Sequence, residues 1–160
     1  CVCLLLPACI SSEVIDDRQG TERQLLHSGE GKLILLVEDD LDVRAVILEQ
    51  LVAMGFAVVE ASDGDEALLL LESLTELYAL VSDIMMPGSL DGYELADRVS
   101  ESRAGARVVL ITGYAFDQQT RDPDQPQYLT LRKPFKRDTL RQALLRKDEP
   151  GTAVNLCTDL

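Results

Sequence analysis

YALVSD, residues 78–83, is an apolar run that ends on an acid, and the same design recurs along the chain. Upstream, KLILLV (32–37) runs into Glu38-Asp39-Asp40. Downstream, RVVLI (107–111) runs into Thr112, and YLTLR (128–132) runs into Lys133-Pro134-Phe135. Each run is short and β-like, and each delivers polar chemistry at its carboxyl end. In an open parallel α/β sheet those ends lie along one edge, where ligands bind. Acids, a hydroxyl and a lysine on one edge form a site for a divalent metal and a phosphoryl group.

The segments between these runs read as helices and one more strand. Val43, Val46, Ile47, Gln50, Leu51 and Met54 fall at helical spacing over about 42–54, and Gly55 suits the C-cap. Phe56–Glu60 reads as a strand, Ser62-Asp63-Gly64 as turn and cap, and Ala67–Leu74 as a second apolar helix face. The loop 83–92 (DIMMPGSLDG) leads to a helix over about 93–102. In 114–127 (YAFDQQTRDPDQPQ), Pro123 and Pro126 leave room for only a short or irregular helix. A helix over 136–147 completes the set. Five strands alternating with about five helices predict a parallel sheet covered on both faces. Outside it, residues 1–10 form a short β-like segment, 11–31 a polar linker and 148–160 a tail.

Composition narrows the function. A length of 160 residues suits one domain with an extension, and 46% hydrophobic residues are enough for a core. The formal net charge of −13 argues against sequence-independent binding to DNA or RNA, which needs a basic face. Cys1, Cys3, Cys9 and Cys157 lie near the termini and form no Cys-x-x-Cys pair, so they read as free thiols of a reducing compartment. No apolar run approaches the roughly 18–20 residues that span a bilayer. The opening CVCLLLPACI lacks the basic start of a signal peptide. A soluble protein of the cytoplasm, without membrane contact by this stretch, is expected. His27, the single histidine, reads as a solvated linker residue.

The strand-end residues suggest their own chemistry. Mg²⁺ takes oxygen ligands in octahedral geometry and keeps several waters. Glu38, Asp39, Asp40 and Asp83 could supply two or three carboxylates, and packing them without a cation would raise a carboxyl pKa. A cis bond at Lys133-Pro134 would turn the chain sharply and aim the lysine into the site. Lys133 could then neutralise Asp83 at rest and contact a phosphoryl oxygen afterwards. Thr112 could donate its hydroxyl to another phosphoryl oxygen.

Four stretches, ILLVEDD (34–40), SDIMMPGSLDGYEL (82–95), ITGY (111–114) and LRKPF (131–135), stand in an order and spacing that resemble the receiver domain of two-component response regulators, over residues 32–147. The resemblance implies a flavodoxin-like, doubly wound sheet with strand order 2-1-3-4-5. It makes Asp83 the phosphoacceptor, with Mg²⁺ as cofactor and a histidine kinase or phosphotransfer domain as partner. Asp39 would be the main metal ligand, Glu38 would act through water, and Asp40 would be a neighbouring acid. Val43-Arg44 sets that register. Met85 matches the position whose backbone carbonyl completes the metal site, while Thr112 and Lys133 match the switch hydroxyl and the phosphate-contacting lysine.

The chain also departs from the pattern. Thr130 stands where the family often has an aromatic switch residue, with Tyr128 two residues earlier. The stretch 114–127, where the family has its fourth helix, is rich in Asp, Gln and Pro. The MMPGSLDG loop is one residue longer than the commonest form, as in many receivers attached to histidine kinases. Met85 and Tyr114 occupy the two places whose side chains tune hydrolysis, and both are bulky enough to shield an acyl phosphate. CVCLLLPA resembles the closing strand of a histidine-kinase ATP-binding domain, and a chain that starts at Cys1 reads as a fragment. Both features point to the receiver end of a hybrid histidine kinase. Two alternatives stand beside this reading. One is a degenerate receiver that only binds proteins. The other is an aspartyl-nucleophile phosphatase, although Met85 stands where such enzymes carry their second acid.

Overall fold

Strands β1 (Leu33–Val37), β2 (Ala57–Ala61), β3 (Ala79–Asp83), β4 (Arg107–Thr112) and β5 (Leu129–Arg132) form one parallel sheet in the order β2-β1-β3-β4-β5. The structure is a computed structural model and describes residues 29–113 and 128–145. Four helices accompany the strands among those residues: α1 (Leu41–Ala53), α2 (Gly64–Ser73), α3 (Gly92–Ser102) and α4 (Arg137–Leu145). The expected strand order is the observed one, and each strand lies within one residue of its predicted place. The helix expected in 114–127, the segment 1–10, most of the linker, the tail, Tyr114, His27 and the four cysteines lie outside the described residues.

The strands read as unbroken apolar runs because helices cover both faces of the sheet. Successive side chains point to opposite faces, so neighbours in one strand enter different cores. Ile34, Leu36, Val81 and Val109 pack with Ile47 and Leu51 of α1 and Leu140 and Leu144 of α4. Leu35, Val37, Leu80 and Leu110 pack with Ala67 and Leu71 of α2 and Leu95 and Val99 of α3. Both cores are closed by fully buried aliphatic side chains, each contributing about 1.5–3 kcal/mol of transfer free energy.

Caps determine where α1, α2 and α3 leave the carboxyl edge of the sheet. Asp40 accepts from the amides of Asp42 (2.9 Å) and Val43 (3.1 Å) and starts α1. Asp63 accepts from Glu66 N at 2.8 Å and starts α2. Asp91 and Glu94 form a reciprocal capping box at the start of α3. At the other end of α1, Gly55 adopts a φ of 87°, a left-handed conformation that glycine accepts without strain.

Gly92 lets α3 start directly against the end of β3. Its amide donates to the Ile84 carbonyl at 3.0 Å, and a Cβ there would come within 2.2 Å of the Asp83 carbonyl oxygen. Gly92→Ala should therefore cost about 1–3 kcal/mol in urea unfolding by overpacking against backbone. An unchanged midpoint would show that α3 can retreat freely.

Glu66 yields a pH-dependent expectation. The Ser62 backbone amide and hydroxyl, both 2.8 Å from its carboxylate, hold Glu66 below its ordinary pKa. A lowered folded pKa contributes stability above the unfolded value of about 4.3, and that stability is lost as pH falls through the folded value. The group is largely solvated, so Glu66→Gln should cost only about 0.5 kcal/mol at neutral pH. Melting from pH 7 down to pH 3 should show wild type and variant converging at the acid end.

Candidate functional site

Three strand ends converge on one lysine. Asp83 closes β3, Glu38 follows β1, and Lys133 follows β5. Lys133 Nζ donates to Asp83 Oδ2 at 2.6 Å and to Glu38 Oε2 at 2.7 Å. The Lys133-Pro134 bond is cis, the geometry that the sequence left as a condition for aiming the lysine into the site. Lys133 N donates to the carbonyl of Thr112, the last residue of β4, at 2.7 Å, which ties hydroxyl and lysine into one unit. Glu38, Asp83 and Thr112 are buried, at 1%, 7% and 4% exposure.

Asp39 joins this group. One carboxylate oxygen from each of Glu38, Asp39 and Asp83 lies within 4.8 Å of the others. Three carboxylates against one ammonium leave a formal shortfall of two positive charges, which is the charge of a divalent cation. An all-oxygen donor set suits a hard ion such as Mg²⁺.

Burial raises the pKa of Glu38 above its ordinary value; the hydrogen bond and charge of Lys133 offset this only in part, and Asp83 and Asp39 add to it. Burial pulls Lys133 the other way, but the hydrogen bonds and charges of Asp83 and Glu38 outweigh it and hold the lysine above its ordinary value. Lys133 is therefore an ammonium across the physiological range. The cluster favours any ligand that brings positive charge to the acids.

The remaining predicted residues divide. Asp40 stands next to the cluster in sequence, but its carboxylate caps α1. Met85 N donates to Asp83 Oδ1 at 3.1 Å, and Met85 is 60% exposed beside that carboxylate. Tyr128 lies away from the cluster. Its hydroxyl donates to Asp97 Oδ1 of α3 at 2.7 Å and lies 3.2 Å from Ser100 Oγ. The four residues of β5 separate Tyr128 from Lys133, five steps or about 17 Å of rise, so Tyr128 belongs to the opposite edge of the sheet.

Two supports escaped the sequence reading. Asp65 of α2 accepts from Ser89 Oγ at 2.5 Å and Ser89 N at 3.3 Å, bracing the loop after Asp83. Arg44 of α1 donates to the Glu38 carbonyl at 2.6 Å. Ser89 and Asp65 are 24 residues apart, and no local pattern marks such a pair.

The family model for the response regulator receiver domain matches residues 34–145. The chain belongs to that family. The receiver domain is 37% identical over 107 residues to the response regulator receiver protein CpdR of Brucella abortus, covering 65% of this chain and 86% of CpdR. It is 36% identical over 104 residues to the sensor kinase CckA of the same organism, covering 64% of this chain but only 11% of the kinase. Among solved structures, the receiver domain of a Pseudomonas aeruginosa sensor histidine kinase, with magnesium coordinated in its active-site cleft, is similar. It has a TM-score of 0.60 and 29% identity, over 71% of this chain and 94% of that one.

The receiver's two adjacent aspartates can be told apart by experiment. Asp39→Ala should weaken Mg²⁺ binding at least about tenfold in calorimetric titration, while Asp40→Ala should leave affinity within about twofold. Asp40→Ala should instead lower stability by about 1 kcal/mol, through loss of the α1 cap. Equal losses of Mg²⁺ affinity would overturn the distinction.

Proposed function

We propose that this receiver domain accepts a phosphoryl group on Asp83 from a phosphohistidine, with Glu38, Asp39, Asp83 and the Met85 backbone carbonyl holding Mg²⁺. The observation that carries this reading is the Lys133 ammonium 2.6 Å from Asp83 Oδ2, with Glu38 and Asp39 gathered on the same edge. Bound there, Mg²⁺ supplies charge that screens the carboxylate from the incoming phosphoryl group.

Asp83 contributes the nucleophilic oxygen. It attacks phosphorus in line, the phosphorus–nitrogen bond of the donor breaks, and the histidine leaves with that bonding pair. An acyl phosphate results. Lys133, already placed by its two ion pairs, exchanges one carboxylate contact for a phosphoryl oxygen and stabilises the equatorial charge. Thr112 donates its hydroxyl to another phosphoryl oxygen. Because Thr112 O and Lys133 N are joined, a movement of one reaches the other, and the β4–β5 surface switches with them.

The donor is a histidine kinase or a phosphotransfer domain, and the domain works as part of a hybrid kinase relay in the cytoplasm. Its similarity to a receiver segment of a sensor kinase supports this placement. No helix among the described residues is long and apolar enough to cross a membrane. The acidic balance disfavours direct contact with nucleic acid.

Incubation with acetyl phosphate and Mg²⁺ should add the mass of one phosphoryl group, seen by intact mass spectrometry. Chelation of the metal or Asp83→Asn should abolish the increment. An unshifted wild-type mass, or a shift that survives Asp83→Asn, would sink the proposal.

A further inference from the structure

Arg44 stands where helix electrostatics disfavour it. It lies in the first turn of α1, its amide bonded to the Asp40 carbonyl at 2.8 Å, and the positive end of the helix dipole attracts anions there. The guanidinium turns inward. Nη1 donates to the Glu38 backbone oxygen at 2.6 Å, and Nε faces Glu60 Oε2 of β2 at 3.4 Å. The two side chains are only 14% and 25% exposed. One arginine thus ties α1 to the end of β1 and to β2.

Together with its neighbours it immobilises the acidic turn. Glu38 N donates to the Ala61 carbonyl at 3.2 Å, Arg44 holds the Glu38 carbonyl, and Lys133 holds the Glu38 carboxylate. On the other side, the Asp40 side chain is fixed as the cap of α1. Asp39 stands between these two fixed residues. Its carboxylate is exposed yet lies within 4.8 Å of the Glu38 and Asp83 oxygens.

We propose that Arg44 is a positioning residue for the cation site. By gripping the Glu38 carbonyl it fixes the turn from which Asp39 presents its carboxylate, and Glu60 aims and neutralises the guanidinium. The inference rests on the reading above, in which these acids hold Mg²⁺. Charge and position make opposite demands here. As a bare cation near a cation site, Arg44 opposes Mg²⁺, so its removal would tighten binding by charge alone. As the anchor of the turn it favours Mg²⁺, and its removal weakens binding. Partners that orient metal ligands without touching the metal typically change affinity by about 10–100-fold. A lysine cannot replace the arginine, because its ammonium lacks the planar fork that reaches carbonyl and carboxylate together.

Mg²⁺ titration by calorimetry on wild type, Arg44→Gln, Arg44→Lys and Glu60→Gln tests this, with thermal melts in chelator alongside. Arg44→Gln should weaken Mg²⁺ about tenfold or more. Arg44→Lys should stay clearly weaker than wild type despite its charge, and Glu60→Gln should shift affinity in the same direction by less. In acetyl phosphate reactions, Arg44→Gln should raise the Mg²⁺ concentration for half-maximal rate while the rate at saturating Mg²⁺ stays near wild type. Mg²⁺ affinity equal to or tighter than wild type in Arg44→Gln overturns the proposal. So does a lowered melting temperature with unchanged affinity in both Arg44 variants, which would mark a merely structural residue. Failure of wild type itself to bind Mg²⁺ overturns the metal reading with it, and is told apart because no variant is then needed.

Discussion

A lysine ammonium held between two buried carboxylates is the constraint on which this domain turns. Glu38 and Asp83 are almost wholly removed from water, and burial of either as an unpaired anion would be costly. Lys133 makes the pair tolerable, and it can do so only if β1, β3 and β5 end at one level of the sheet. Neighbouring strands lie about 4.8 Å apart, and β4 intervenes between β3 and β5, so the lysine must reach across the end of β4 to meet Asp83 and on toward β1 to meet Glu38. A long, flexible side chain following β5 satisfies that distance. A shorter one would leave the acids unpaired.

The rest of the architecture supplies the register this bridge needs. The β3–β4 pairing sets Asp83 opposite Ile111, and the Ile84 amide continues it by donating to the Ile111 carbonyl at 2.9 Å. Gly92 allows α3 to start against the Asp83–Ile84 backbone, so Asp83 is held from the strand side and the helix side together. Arg44 and Asp40 hold the acidic turn in the same way, one by its carbonyl and the other by its cap. The cores above and below the sheet contribute the bulk of the stabilisation, but these few polar contacts determine where the charges stand. Rigidity here has a chemical purpose, since a carboxylate misplaced by an ångström attacks phosphorus poorly.

The local residues were enough to read the strand and helix order, because apolar runs of five or six residues alternate with segments of helical spacing. Asp63, Gly55 and Gly64 marked their turns through ordinary capping chemistry. The site was equally legible at Asp83, Glu38 and Lys133, which stand at the ends of those runs. Tyr128 was not. Two residues short of the place where an aromatic switch would stand, it belongs to the far edge of the sheet, and its hydroxyl is engaged by Asp97 and Ser100 of α3.

Chain chemistry alone therefore determined a doubly wound parallel sheet with acids, a hydroxyl and a lysine along one edge, since periodicity and strand-end position are local properties. Residue type alone could not separate Asp39 from Asp40, and it could not show that Arg44 grips the Glu38 carbonyl or that Asp65 braces Ser89. Tertiary structure decided those. A carboxylate becomes a cap or a site group according to which way the backbone turns after β1, and that turn is held by contacts from β2, α1 and β5. The lysine meets its two acids across 95 and 50 positions of sequence, a distance over which no residue pattern can report which oxygen faces which nitrogen.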